Sequence, residues 1–189
     1  MKQIYVNEYL KAAQANGLQG NHLDRKYLEE KFLGLSSPKI DKVLNTKKED
    51  LEIPEEWLKI IQKPDGSWRK IILYNNSIGA LLQNDKKMIE KLKNVLLTFY
   101  KNRDEVTLLW RPHPLIENTL VSMRPELWND YREIRDKYIQ EKWGIYDDSS
   151  DLDRAVILSD AYYGDTSSVV ELYKKAGKLI LIQNAGIID

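Results

Sequence analysis

Residues Ser159–Glu171, with the sequence Ser-Asp-Ala-Tyr-Tyr-Gly-Asp-Thr-Ser-Ser-Val-Val-Glu, carry the strongest indication of the fold. Ala161–Tyr163 form a short apolar run, and Gly164–Ser168 follow as a polar turn before the apolar start of a helix. A strand that enters a helix through such a turn leaves unpaired backbone N–H groups and hydroxyls near one point. The stretch therefore predicts a strand, a loop suited to binding a phosphate, and a helix.

Other apolar runs predict the remaining strands, and the segments between them have helical spacing. Near-continuous apolar strands that alternate with helices are typical of a parallel sheet covered on both faces. The sequence therefore predicts an α/β fold, a Rossmann-like parallel sheet with flanking helices. The predicted strands are Ile71–Tyr74, Val106–Trp110, Ala161–Tyr163, Leu179–Ile182 and a weaker one at Ile145–Tyr146; the clearest helical stripes lie in Met88–Phe99 and Leu127–Tyr138.

Residues 1–68 have a different character, because they are polar and contain short helical pieces without a strand pattern. Lys63–Gly66 (Lys-Pro-Asp-Gly) is a turn sequence. We therefore predict a mainly helical N-terminal segment at 1–68 and a Rossmann-like nucleotide-donor-binding domain at 69–189. The helical pieces are Glu8–Ala15, Asp24–Phe32 and Pro54–Ile61.

Composition limits the function classes. Among the 189 residues, Lys plus Arg number 29 and Asp plus Glu number 29, so no bulk positive field favours nucleic acid. The chain has no cysteine and no apolar run long enough to span a membrane, which favours a cytoplasmic location. His22 and His113 are the two histidines. We predict that His22 lies on the surface, and we predict no metal site.

Ligands of open α/β sheets bind outside the carboxyl ends of the strands, so the residues that follow each predicted strand matter most. Arg111 and His113 follow one strand, and Asp165–Ser168 follow another. We expect these two loops to face each other across one shared hollow. Less specific polar residues follow the other strands: Asn75, Asn76, Ser77, Asp147, Asp148, Gln183 and Asn184.

Each of these residues also has a structural interpretation. Ser167 and Ser168 are good helix caps. Arg111 could pair with a nearby carboxylate, and the prolines on either side of His113 could simply form a rigid turn. The acidic cluster after Tyr146 is expected to cap the next helix and contact water rather than bind a metal; it comprises Asp147, Asp148, Asp151 and Asp153.

At these residues the sequence resembles the C-terminal, donor-binding domain of the CDP-glycerol glycerophosphotransferase family, enzymes of the GT-B fold. The family has an Arg-x-His-Pro motif, matched by Arg111–Pro114, and a later Asp followed by Asp-x-Ser-Ser, matched by Asp160 and Asp165–Ser168. A Gly-x-Pro-Lys/Arg-x-Asp element of the family is similar to Gly34–Asp41, with extra residues inserted. The resemblance covers roughly residues 34 to 184.

The resemblance implies transfer of glycerol phosphate from CDP-glycerol to a hydroxyl acceptor, in the synthesis of a teichoic-acid-like or capsular polymer. It implies His113 as the catalytic residue, and Arg111, Asp165, Thr166, Ser167 and Ser168 as donor-binding residues. CDP-glycerol would be the donor substrate, with no further cofactor and no metal. Arg111→Ala and Ser168→Ala are then each expected to weaken binding of cytidine diphosphate without unfolding the domain.

The resemblance also implies partners. A GT-B enzyme closes its site between two Rossmann-like domains, and the first 68 residues lack strands for the acceptor-binding half. The expected partners are an acceptor polymer or glycolipid and a separate acceptor domain, with peripheral association at the inner face of the membrane in the full enzyme.

Three alternatives stay open at this point. One is a GT-B glycosyltransferase that uses a nucleotide sugar. Another is a hydrolase in which Ser168, His113 and Asp165 form a nucleophilic set, although no Gly-x-Ser-x-Gly elbow exists in the sequence. The third is a non-catalytic module that binds a nucleotide or a partner chain.

Overall fold

The computed structural model describes residues 2–18, 20, 23–32 and 37–183, and the chain divides into two compact units, Met1–Pro38 and Lys39–Asp189. The first unit contains two helices, α1 (Lys2–Ala15) and α2 (Arg25–Lys31). The Asp24 carboxylate caps α2 by accepting a hydrogen bond from the Tyr27 N–H at 3.0 Å. Three features discussed above, His22, Gly34–Ser36 and Asn184, lie outside the described residues.

The second unit is an α/β domain, which confirms the predicted fold class. After a helical start, one or two helices separate each strand from the next from Lys70 onward. In chain order they are α3 (Pro38–Asn45), a 3-10 turn (Lys48–Asp50), α4 (Glu55–Ile61), β1 (Lys70–Asn75), α5 (Ile78–Lys101), β2 (Val106–Trp110), α6 (Ile116–Met123), α7 (Pro125–Glu141), β3 (Ile145–Tyr146), α8 (Leu152–Leu158), β4 (Ala161–Gly164), α9 (Val169–Lys175) and β5 (Leu179–Ile182).

The five strands form one parallel sheet in the order β3-β2-β1-β4-β5. Tyr74 of β1 is in register with Trp110 of β2 on one side and with Tyr163 of β4 on the other. Strands β2 and β3 lie on one side of β1, in chain order, and β4 and β5 lie on its other side. This reversal makes a topological switch point between the carboxyl ends of β1 and β4, where open α/β sheets bind ligands.

The sheet is buried between two apolar layers, and alternate side chains of each strand enter opposite layers. In β2, Leu109 packs with α3, α4, α8 and α9, while Leu108 and Trp110 pack with α5, α6 and α7. This two-sided burial explains why the strand sequences are nearly continuous apolar runs.

The division between the units lies at Pro38, upstream of the turn at Lys63–Gly66 where the sequence predicts the domain boundary. The reason is burial: Val43 of α3 and both Trp57 and Ile61 of α4 belong to the core on one face of the sheet. The predicted turn does form, since the Gly66 N–H donates to the Lys63 carbonyl at 2.9 Å, but it joins α4 to β1 inside the domain.

Helices α3 and α6 were missed from the sequence, and α5 is longer than its apolar stripe. Residue Asp85 breaks α5 with φ of 43° and ψ of −122°, so the stripe from Met88 onward begins after this break. No helix among the described residues is long and apolar enough to cross a membrane.

Asp160, the first aspartate of the motif that ends in Asp165–Ser168, lies immediately before β4 and therefore at the amino edge of the sheet. This is the edge opposite the carboxyl ends of the strands, where open α/β sheets bind ligands. The Asp160 carboxylate pairs with Lys48 at 2.7 Å and accepts the Ile71 N–H at 2.8 Å. Burial alone would raise the pKa of Asp160, but these two hydrogen bonds and the positive charges of Lys48 and Lys70 together outweigh it and hold the pKa below its ordinary value.

We expect Asp160→Asn to lower the free energy of unfolding by about 1 kcal/mol at pH 7, because it removes the charge-assisted hydrogen bond from Lys48. A depressed carboxyl pKa stabilises the fold above the unfolded value of 3.8, and this contribution is lost as the pH falls through the lower folded pKa. The difference between wild type and variant, measured by urea denaturation, should therefore shrink at pH 3 to 4. Asp104→Asn, at an exposed position, is the control. An equal deficit at both pH values would contradict this role.

Candidate functional site at the carboxyl edge of the sheet

The loop after β4 begins at Gly164, which has φ of +142° and lies against β1. A Cβ at this position would be 2.1 Å from the carbonyl oxygen of Asn75. Both the backbone conformation and the close approach require glycine here. Gly164 thus brings the next residue, Asp165, directly onto the end of β1.

Asp165 is buried and fully engaged with the protein. Its N–H donates to the Asn75 carbonyl at 3.0 Å, and its carboxylate accepts the Ser77 N–H at 2.8 Å. The other carboxylate oxygen pairs with Lys91 Nζ at 2.7 Å, and the two side chains are 4% and 1% exposed. Lys91 also donates to the Gln183 carbonyl at the end of β5. Asp165 therefore fixes the loop and is not free to bind a ligand directly.

The three residues after Asp165 face outward. Thr166 and Ser168 are exposed and Ser167 is half-buried. Within the described part of the chain, the hydroxyls of Thr166 and Ser168 and the N–H groups of residues 166–168 have no hydrogen-bond partner. Ser168 precedes α9 but its side chain does not cap that helix. These donors are therefore available to a ligand.

The Tyr162 side chain of β4 contacts the loop at residues 165–168 through its hydroxyl. Its hydroxyl donates to the Asp165 carbonyl and lies 3.3 Å from Ser167 Oγ. Burial raises the pKa of Tyr162 to about 12, with the negative charge of Asp165 acting in the same direction and the Ser167 hydrogen bond in the opposite one. The phenol is therefore protonated at neutral pH and holds the loop as a donor.

Arg111 follows β2 at the same edge, but its guanidinium is directed to the loop after β3. It is 6% exposed, lies 2.5 Å from the Asp147 carboxylate and donates to the Ser149 carbonyl at 2.7 Å. Its charge is already balanced by Asp147. Asp147 is itself buried, which corrects our expectation that the whole acidic cluster meets water. Asp151 does cap α8, by accepting the Arg154 N–H at 3.0 Å.

His113 is exposed, and its Nδ1 accepts the Leu115 N–H at 3.2 Å. A nitrogen that accepts carries no proton, so the neutral ring bears its proton on Nε2. Nε2 is thus the atom that can donate to a ligand. Since the His113 Nδ1 and the Asp165 carboxylate both have other partners, Ser168, His113 and Asp165 are not linked as a nucleophilic set.

Asn75 connects the two candidate loops. Its Nδ2 donates to the Arg111 carbonyl at 2.9 Å, and its own carbonyl accepts the Asp165 N–H. The loops therefore lie at one edge on either side of β1. They do not share one hollow, however: a cavity of about 240 Å³ beside Arg111 is lined by residues that follow β2 and β3 and by α6 and α7, and the loop at 165–168 is not part of its wall in the described structure.

Sequence reasoning named Asn75 without giving it a role and missed Lys91 altogether. The signal for Lys91 was present, because a lysine occupies a position of the apolar stripe between Met88 and Val95, where a charge needs a buried partner. Among the described residues, no group of three or more His, Asp or Glu side chains is arranged to hold a metal ion.

The buried Arg111–Asp147 pair changes the expected effect of Arg111→Ala. Removal of one partner leaves a buried, uncompensated carboxylate, so the variant should lose about 3 kcal/mol of unfolding free energy. Urea denaturation measures this loss. Arg124→Ala, at a pair with Asp85 that is 3.7 Å long and exposed, should cost less than about 1 kcal/mol. Unchanged stability together with lost nucleotide binding would show instead that Arg111 faces the ligand.

Comparison of the chain with protein-family models, with curated proteins and with solved structures found no match. The resemblance to the glycerophosphotransferase family therefore rests on the motif residues themselves, of which Arg111, His113 and Asp165–Ser168 lie at the carboxyl edge and Asp160 at the amino edge.

Proposed function

We propose that the domain binds the diphosphate of a nucleotide-activated donor at the carboxyl edge of the sheet, between β1 and β4. The observation that carries the proposal is the set of free donors on Thr166, Ser167 and Ser168, placed at the topological switch point. Backbone N–H groups and hydroxyls that converge at such a loop are suited to phosphate oxygens.

The donor that the motif residues favour is CDP-glycerol. In this proposal the chain is the donor-binding domain of a glycerophosphotransferase, and a hydroxyl acceptor attacks the phosphorus that carries glycerol. The new O–P bond forms as the bond to CMP breaks; CMP leaves with the electron pair of that bond, and the proton of the acceptor hydroxyl passes to solvent. The acceptor is a polymer or glycolipid, held by a separate acceptor domain.

His113 would act on the leaving group. Its Nε2–H is exposed beside the ligand edge and can donate to a phosphate oxygen as negative charge develops on CMP. Arg111 contributes indirectly, because its pair with Asp147 holds the loop that carries His113 against the loop after β3. This assignment replaces direct contact between Arg111 and the diphosphate.

We expect Ser168→Ala and Thr166→Val each to weaken CDP-glycerol binding by at least about tenfold, the loss of one hydrogen bond to a charged group. Stability should not change, because these hydroxyls are exposed and make no hydrogen bond in the described structure. Isothermal titration calorimetry measures the affinity. Ser122→Ala on α6, whose hydroxyl donates to the Asn118 carbonyl, is the matched control.

The same titration with other nucleotides, together with an activity assay, separates a glycosyltransferase and a non-catalytic module from the proposed function. Tight binding of a nucleotide sugar in place of CDP-glycerol would favour a glycosyltransferase, and nucleotide binding without turnover in the presence of an acceptor domain would favour a non-catalytic module. Wild-type affinity for CDP-glycerol in both the Ser168 and the Thr166 variant would refute the role of the β4 loop.

A further inference from the structure

Strand β5 forms one edge of the sheet, and its outer side is open in the described structure. The opposite edge strand, β3, has only two residues, whereas β5 has four residues with the sequence Leu-Ile-Leu-Ile. Edge strands of soluble proteins are usually very short, or carry a charge, a proline or a bulge that prevents pairing with another chain. Strand β5 has none of these features and pairs with β4 in continuous register. It is therefore suited to pairing with a further strand.

One face of β5 is covered and the other is not. Ile180 and Ile182 pack against the core that contains α8 and α9. Leu179 and Leu181 point to the opposite face, where they are 78% and 62% exposed and belong to neither buried layer. An all-apolar strand is typical of a sheet that is covered on both faces. The two leucines therefore mark a surface that a single copy of the domain does not cover.

The backbone of β5 directs hydrogen-bonding groups to this open side. The Gln183 N–H donates to the Gly164 carbonyl of β4 at 2.9 Å. Alternate residues of a strand direct their N–H and C=O groups to opposite sides, so those of Leu181 also point to β4, and those of Ile180 and Ile182 point away from it. Because β5 has no second neighbour in the described sheet, two donors and two acceptors face outward along the edge.

A second copy of the same strand satisfies all four groups in one register. If the two β5 strands run antiparallel about a twofold axis at Leu181, Ile180 of each copy lies opposite Ile182 of the other. Each of these two pairs exchanges both N–H···O=C bonds, so every outward group has a partner. The two Leu181 side chains then lie opposite each other on the open face, in the closer, non-hydrogen-bonded type of pair.

The neighbouring register is less favourable. With the axis at Ile180, Ile182 lies opposite Lys178 of the other copy, whose N–H already donates to the Tyr173 carbonyl at 3.0 Å. The Ile182 carbonyl would then have no donor on the other strand. The free backbone groups therefore favour the axis at Leu181.

The charges beside β5 also fit a second copy. Helix α9 covers the other face of the strand and carries Glu171 in its first turn and Lys174 and Lys175 in its last. The twofold axis places the two α9 helices antiparallel, so the acidic end of each lies beside the basic end of the other. Glu171 already pairs with Lys174 of its own helix, so Lys175 supplies the contact between copies. With 29 basic and 29 acidic residues, no net charge opposes association.

We propose that the domain forms a twofold dimer in which the two β5 strands pair antiparallel at Leu181 and join the two five-stranded sheets into one. The dimer covers the leucines of the open face and uses the free backbone groups of the edge. It does not require a bound nucleotide, so its failure and the failure of the proposed function are separate results.

Leu181→Lys should abolish the dimer, because it places two like charges opposite each other at the axis. Sedimentation equilibrium without nucleotide should show a dimer for the wild type at submillimolar concentration and a monomer for the variant. Leu97→Lys, at a leucine of α5 that is 51% exposed, is the matched control and should remain a dimer. A monomeric wild type would overturn the proposal and leave the edge to a different chain, and a dimeric Leu181→Lys would overturn it as well.

A cysteine at the axis tests the register. The chain has no cysteine of its own, and Leu181→Cys places two thiols across a pair with Cα atoms about 4.5 Å apart, within the range of a disulfide. Diamide should oxidise these thiols to a disulfide and give a covalent dimer. Leu179→Cys, on the same face, is the control, because its two copies lie about 13 Å apart along the strands and should not cross-link. Equal cross-linking of both variants, or none of Leu181→Cys, would refute this pairing.

Discussion

The buried carboxylate of Asp165 joins three segments that are distant in the chain. It pairs with Lys91 from the middle of α5 and accepts the N–H of Ser77 at the start of that helix, while its own N–H binds the end of β1. A buried ion pair of this kind tolerates loss of neither partner. Because Asp165 faces inward, the next three residues face outward, and the polar donors of the β4 loop are presented at the switch point of the sheet.

The two halves of the ligand edge are chemically distinct. On the β4 side, hydroxyl and amide donors have no partner among the described residues and suit phosphate oxygens. On the β2 side, Arg111 is neutralised by Asp147, and the cavity next to it is lined by a further pair of charges, Arg135 with Asp136. Asn75 lies between them and holds both loops to β1.

Much of the fold could be predicted from the sequence because it depends on local patterns. Apolar runs such as Val106–Trp110 mark strands that are buried on both faces, and the polar residues after them mark the edge where ligands bind. Contacts between distant residues could not be predicted in this way. Nothing local shows that Arg111 pairs with Asp147, or that α3 and α4 complete the core of the sheet, because those outcomes depend on which segments the fold brings together.

The most direct test of the account is to map the binding site by NMR, titrating isotopically labelled protein with CDP-glycerol and following each backbone amide. We predict that the largest shifts occur at Gly164–Ser168 and Asn75–Ser77, with further shifts near His113, all at the carboxyl edge. Shifts confined to the amino edge, around Lys70 and Asp160, or no shift at saturating ligand, would contradict the assignment of this edge as the donor site.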